Sequence, residues 1–599
     1  MATEEGLEGP DFLVQAITTY FDGGQSSEVR EMIEDPGNKD HFIAAAWDLA
    51  SVFCKYIDQS SYEAVQGVYE VSLEGLELLS EIAKPKELIL VLLEHAELFN
   101  DDTKYYNLLR PAQKCLLRMG PKKANSIGFA LETLYAYLLT VELPSFEELE
   151  GDEKKLLDLD PKIKRVLEVT NALVRFVEPF CKEVKELRQK EDTSKIAHRQ
   201  AKEITRYLLR LFEHPVASLD VTLSEGEVGG DAHVLTKFIM DLMNILQPNV
   251  HSCVENLLKE NDRIQRSKKK AGGEGEDSSE YEGIEPYTEA GLAVYVYLAY
   301  GERLAPNNIP QVYTPQHVFE FCHRHCQYLL KADKTLVTIK GVLLLRSIIN
   351  RIPTQSLPWD YVESEFVIET VSALSHVAVH CSVKEVRQAA LKVFPQLLDK
   401  FGMKGRNRFI KYLINRSQHA GLAGYAIHLL KEELNQTLSL CIPSEYFVGQ
   451  PLREILQGVF SLPDGATTDI LDQRDKILAA LNLLRFLILR DSQERNITGI
   501  WDLMPSLQKA YCDPLRTGLN MSQAHYKMEL QNLKENPHPK NANSGPEMTL
   551  TVGGMQVPGL NPEQNREVLE AGLVNLDMID SVLGRVCELI DAKPPHSKK

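Results

Sequence analysis

No uninterrupted apolar run in this chain reaches the roughly 18–20 residues that a membrane-spanning helix needs, so no membrane span is expected. Cysteine is present but dispersed: of ten, only Cys322 and Cys326 lie close together, which argues against a disulfide framework or paired zinc knuckles. Positive charge is in deficit, with 66 Lys and Arg against 85 Asp and Glu and a formal net charge of −19. Surfaces that neutralise phosphate backbones are built from Lys and Arg, so nucleic acid is not an expected partner. The opening segment, Met1-Ala-Thr-Glu-Glu-Gly-Leu-Glu8, is acidic where a signal peptide would be basic and then apolar. A cytosolic protein with reduced thiols is the resulting expectation, with nuclear access left open. No phosphate-loop signature, Gly-x-Gly-x-x-Gly, His-Glu-x-x-His or nucleophile elbow occurs. No enzyme activity and no cofactor are therefore expected.

What the chain has in abundance is apolar clustering at helical spacing, with few alternating strand-like runs. Pro85-Lys-Glu-Leu-Ile-Leu reads as a helix with proline at its first turn, where the missing N–H costs nothing. Further helices are predicted at about 124–139, 161–190, 195–213, 233–248 and 249–265 from the same periodicity. Ser382-Val-Lys-Glu-Val-Arg-Gln-Ala-Ala-Leu-Lys-Val-Phe-Pro resembles the second helix of a HEAT or armadillo repeat, with a partner at about 363–380. Similar text recurs from Ile339 and from Ile477. The predicted fold class is all-α, an irregular HEAT/armadillo-like helical-repeat solenoid. The stretch Lys268-Lys-Lys-Ala-Gly-Gly-Glu-Gly-Glu-Asp is a charged, glycine-rich linker by composition. Its three lysines match a localisation signal as well as a solvated loop, and the solvated loop is the reading adopted. The expected division is thus an N-terminal helical domain over 1–265, a linker over 266–285 and a C-terminal domain over 286–599 that carries the partner-binding surface. Two short alternating runs around Gly553-Gly554 predict a small β-hairpin near the C-terminus. A last helix follows, with Leu569, Leu573, Leu576, Ile579, Leu583, Val586 and Ile590 as one apolar stripe.

Two clusters offer metal-ligating residue types. In Phe321-Cys-His-Arg-His-Cys326 the cysteines are one helical turn apart, but no second ligand pair sits at zinc-finger spacing. His376 and His380 stand at i and i+4 without a carboxylate between them, so no metalloprotease chemistry follows. No metal site is predicted. The segment Leu462–Tyr526 is more informative. A Pro-Asp-Gly turn leads into a run of helix, Lys476–Arg490, too apolar for a surface. Thr467 or Thr468 is the expected N-cap, with Asp469 in the first turn. Asn482 and Arg485 interrupt that run three residues apart, either satisfying loop carbonyls or meeting a partner. Trp501, Asn520, His525 and Tyr526 follow; Trp, Tyr and Arg dominate binding hot spots, and Trp501 serves equally as a core residue.

These words resemble the glomulin family: Leu462-Pro-Asp-Gly-Ala-x-Thr-Asp-Ile-Leu, Leu481-Asn-Leu-Leu-Arg-Phe-Leu, Thr498-Gly-Ile-Trp501 and Pro514-Leu-x-x-Gly-Leu-Asn-Met-Ser-x-Ala-His-Tyr526. Further similar text lies at Pro85, at Lys123-Ala-Asn-Ser-Ile-Gly-Phe-Ala-Leu and at Ser581-Val-Leu-Gly-Arg-Val. The resemblance implies a non-enzymatic HEAT-like protein. Its partner would be the RING domain of the RING-box subunit of cullin-RING ubiquitin ligases, and the cullin through it. Covering the face that docks the ubiquitin-conjugating enzyme would inhibit ubiquitin transfer. Immunophilin and receptor tyrosine kinase contacts are also associated with the family, and a general scaffold for such partners or for trafficking is the alternative. The residues nominated for the RING-facing surface are Asn482, Arg485, Trp501, Asn520, His525, Tyr526 and, on the last helix, Arg585.

Overall fold

The computed structural model describes residues 9–97, 101–120, 122–144, 146, 157, 159–190, 193–222, 229–271, 285–417, 419–440, 442–535, 550–552, 555–557 and 562–592. The fold is all-helical. The first helices are α1 (Pro10–Asp22), α2 (Ser26–Glu34), α3 (Lys39–Ala44), α4 (Ala46–Phe53), α5 (Gln59–Ala64), α6 (Gln66–Ile82), α7 (Pro85–Glu97), α8 (Asp102–Arg118) and α9 (Ala124–Thr140). Next come α10 (Pro161–Arg188), α11 (Ser194–Glu213), α12 (Asp231–Leu246), α13 (Val250–Ala271), α14 (Glu289–Val296), α15 (Pro315–Leu330), α16 (Thr335–Arg351), α17 (Glu365–His380) and α18 (Lys384–Leu398). The last are α19 (Met403–Arg416), α20 (Ala420–Ser439), α21 (Gly449–Val459), α22 (Arg474–Arg490), α23 (Ile500–Leu507), α24 (Asp513–Glu535) and α25 (Pro562–Asp591).

Local chemistry explains several of these starts. Asp160 precedes Pro161 and its carboxylate accepts the Lys162 N–H at 2.7 Å. Thr314 precedes Pro315 and its hydroxyl accepts the His317 N–H at 3.2 Å. Each pairs a side-chain cap with a proline that needs no partner. The start of α22 differs from expectation. It begins at Arg474, and its N-cap Gln473 supplies no side-chain bond. Thr467 and Thr468 instead close the preceding turn, the first on the Asp464 carbonyl and the second by accepting the Asp464 N–H. Asp469 accepts the N–H groups of Leu471 and Asp472, both at 3.0 Å. The polar residues thus satisfy the backbone where they stand, one turn too early to cap the long helix.

The chain divides into two compact units: Met1–Tyr313 with Ala332–Leu344, and Thr314–Lys331 with Leu345–Lys599. Within each, helices pack on others one to a few places along the chain, α7 on α8 and α10 on α11 in the first, α17 on α18 and α19 on α20 in the second. Residues 272–284, most of the expected charged linker, lie outside the described residues. The segment after it, expected to open the second part, belongs with the first. There α14 lies on α11 so closely that a Cβ on Gly291 would collide with the Leu209 carbonyl oxygen. Near the C-terminus, Leu550–Val552 and Met555–Val557 pair antiparallel over three residue pairs, too short to add a sheet to the architecture. Gly553 and Gly554, where the tight turn was expected, lie outside the described residues.

Buried charges sit where connections fold inward. The Arg406 guanidinium donates to the Phe401 carbonyl at 3.0 Å and to the buried Glu433 carboxylate at 2.9 Å, with Asp399 at 3.2 Å. In the first unit Lys340, fully buried on α16, donates to the carbonyls of Ala217 at 3.0 Å and Leu219 at 2.7 Å. It thereby closes the connection after α11. Burial pushes this ammonium down to about 8, with Asp220 and Glu302 working the other way. Because the folded value lies below the unfolded one, the unfolded chain binds more protons between about pH 8 and pH 10.4, and stability rises with pH across that window. Relative to Lys340→Met, the native chain should therefore gain about 2 kcal/mol on going from pH 8 to pH 10. Urea titrations at the two pH values measure this, and a difference that does not move with pH would refute it.

Candidate partner-binding surface

The run from α22 to α25 forms one packed cluster in the second unit. Ile477, Ala480, Leu481, Leu483, Leu484, Leu487 and Ile488 bury α22 between α20 and α25, and α25 also packs on α24. Of the expected apolar stripe of α25, Leu569, Leu576, Ile579, Leu583, Val586 and Ile590 are buried and Leu573 is half-buried. Polar ties register the helices. Arg474 on α22 donates to Asn575 at 3.3 Å, Gln523 on α24 donates to Asp577 at 2.9 Å, and Arg516 points at the Cys587 sulfur at 3.0 Å.

The nominated residues fall into two groups. Trp501 is interior, 6% exposed, and its indole N–H donates to the Asp491 carbonyl at 2.9 Å. It holds the loop between α22 and α23 instead of facing solvent. Tyr526 is half-buried in the seam between α24 and α25, where a Cβ on Gly572 would come within 2.6 Å of its ring. Asn482, Arg485, Asn520, His525 and Arg585 are exposed. Asn520 and His525, five residues apart, stand about 140° from each other around α24, so one flat contact cannot use both.

The exposed positions gain meaning from neighbours that sequence reasoning passed over. Leu489 is exposed one and two turns beyond Arg485 and Asn482 on α22. Met521 and Met528 flank His525 at i, i+4 and i+7 on α24, both exposed. Val574 and Met578 are exposed on the flank of α25 that carries Arg585. Helical spacing places each set on one face. Each stripe joins large apolar side chains to an Arg or His, the mixture that binds protein surfaces: methionine adapts its shape and arginine anchors. The signal was present in the sequence as apolar residues at helical spacing from Asn482, Arg485, His525 and Arg585.

Sequence reasoning also missed the organiser of the α22–α23 loop. Asp491 is buried, and its carboxylate accepts the N–H groups of Ile497 and Thr498 at 3.1 and 2.7 Å and the Thr498 hydroxyl at 2.6 Å. Elsewhere, Cys322, Cys326 and His325 are buried, and burial pushes His325 down to about 3. Among the described residues no three His, Cys, Asp or Glu converge on a common point. No helix of the described residues is long and apolar enough to cross a membrane.

A family model described as an uncharacterised protein family, YAP/Alf4/glomulin, matches residues 25–557. Glomulin of Mus musculus is 27% identical over 580 residues, spanning 96% of this chain and 92% of its own length. Glomulin of Homo sapiens is 27% identical over 582 residues, spanning 95% and 91%. Aberrant root formation protein 4 of Arabidopsis thaliana is 26% identical over 238 residues, 38% of this chain and 32% of its own length.

Removing the Asp491 carboxylate leaves three donors without their acceptor, the two of Thr498 buried and the Ile497 N–H half-buried, and a buried donor left unsatisfied costs about 1–3 kcal/mol. Asp491→Ala should lower stability by about 3 kcal/mol and red-shift the emission of Trp501 in the native baseline. Denaturant melts followed by tryptophan fluorescence test both, and an unchanged midpoint would remove Asp491 from this role.

Proposed function

The chain belongs to the YAP/Alf4/glomulin family, and from that membership we propose that it is a non-catalytic inhibitor of cullin-RING ubiquitin ligases. It acts in the cytosol by occupying the RING domain of the RING-box subunit with the helices α22, α24 and α25 of its helical-repeat scaffold. Two partners cannot hold one RING surface at once, so the ligase stays assembled while its ubiquitin-conjugating enzyme is kept off. No nucleophile, general base or metal is required of the inhibitor.

The observation that carries the reading is the set of three exposed stripes at the end of the chain. Leu489 with Asn482 and Arg485, Met521 and Met528 with His525, and Val574 and Met578 with Arg585 offer apolar area framed by polar anchors. An isolated exposed apolar residue is ordinary, but several spaced along one face of each of three helices that pack through α25 suit a contact surface.

Met521→Glu together with Met528→Glu tests the placement. Both side chains are exposed, so folding stability should stay within about 0.5 kcal/mol of the native chain. Hot-spot losses of 2 kcal/mol or more mean affinity for the RING-box subunit falling at least about 30-fold. Inhibition in a reconstituted ubiquitin-chain assay should weaken in step and be relieved by excess conjugating enzyme. Unchanged inhibition by the double variant would place the contact elsewhere. Binding without inhibition would favour a general scaffold for immunophilin or receptor kinase partners.

A further inference from the structure

A cleft in the second unit carries a charge pattern that RING binding does not use. It has a volume of about 300 Å³ and lies where the C-terminal half of α17, the last turn of α19 and the start of α20 meet. His376 and His380 line it from α17, Tyr412 and Arg416 from α19, and His419 from the turn into α20. Among the described residues no Asp or Glu lines it, in a chain whose formal net charge is −19. The sequence analysis assigned no metal chemistry to the His376 and His380 pair. The structure leaves both rings exposed, 4.7 Å apart between centroids.

The donors are available. Arg416 is exposed at the end of α19, and no described carboxylate pairs with it. His419 accepts the Gly421 N–H through Nδ1 at 3.1 Å, which puts the ring proton on Nε2 as a donor. Tyr412 is half-buried, and burial pushes its phenol up, so its hydroxyl keeps its proton. A cation would be repelled by Arg416 and would find no third ligand, since no three metal-ligating groups converge among the described residues. An anion with several acceptor oxygens matches instead: a phosphomonoester offers three, and a guanidinium binds two of them as a fork. Val371, Leu413 and Leu422 add buried apolar lining, which suits a phosphate carried on a side chain better than a bare ion. The exposed His376, His380 and Arg416 leave the mouth open to a tethered ligand.

We propose that this cleft receives the phosphorylated side chain of a partner peptide, with Arg416 gripping the phosphate oxygens and His376, His380 and His419 supplying further donors. The site is separate from the stripes of α22, α24 and α25, and its test reads no ubiquitin chemistry. The full chain is titrated by calorimetry with short capped peptides carrying phosphoserine or phosphotyrosine, with the same peptides unphosphorylated, and with inorganic phosphate. At least one phosphopeptide should bind at least tenfold tighter than its unphosphorylated form, with inorganic phosphate competing weakly. Arg416→Gln and the pair His376→Asn with His380→Asn should each lose at least tenfold, with unaltered thermal unfolding because all three side chains are exposed. Equal binding with and without phosphate, or native affinity in both variants, would overturn the site. Inorganic phosphate binding as tightly as the phosphopeptide would replace the peptide with a free anion and overturn that part of the proposal.

Discussion

Most of the described helices bury an apolar stripe, and they do so chiefly against helices near them in sequence. That nearest-neighbour burial is the constraint on which everything else rests. In the second unit α22 is covered by α20 and α25, and α25 in turn by α24. Once the inward positions are committed, the outward ones follow from 3.6-residue geometry. Leu489, Met521, Met528, Val574 and Met578 are exposed because the stripes opposite them are spent on packing. An outer face assembled this way is a by-product of the core, held by the same contacts that make the fold.

Buried charge is placed by a second rule. Helices satisfy their own backbone groups, but the connections between them do not, and an inward-folding connection brings bare carbonyls or N–H groups with it. Lys340 answers the carbonyls of Ala217 and Leu219, Arg406 the carbonyl of Phe401, and Asp491 the N–H groups of Ile497 and Thr498. In each case a long or charged side chain is sacrificed to hold a turn. The Arg406 and Glu433 pair shows the cost directly: burial holds Glu433 above its usual range, against the pull of Arg406. Of these, Asp491 holds the loop that follows α22.

The helices were legible to within a few residues. The run expected over 161–190 is helical over 161–188, and that expected over 195–213 is helical over 194–213, because amphipathic periodicity and proline or acidic caps are local signals. The start of α22 was not legible, since Asp464, Thr467, Thr468 and Asp469 could cap any of several turns and only the packed chain chooses. The attachment of α14 to the first unit was also hidden. Composition marks a charged stretch as solvent-loving but does not say which helices it separates in space. Among the nominated residues the sequence could rank residue types. It could not tell Trp501 and Tyr526, which hold the scaffold, from His525 and Arg585, which face outward.

By itself the amino-acid sequence determined the helical class and the family, because periodicity, caps and word-level similarity are all read along one dimension. Tertiary structure decided which side of each helix is left open, that Trp501 is spent on the Asp491 loop, and that His376, His380, Arg416 and His419 share one acid-free cleft. The physical reason is the same in each case. Exposure and convergence depend on which helices cover one another, and the periodicity of a single helix does not say which neighbour covers it.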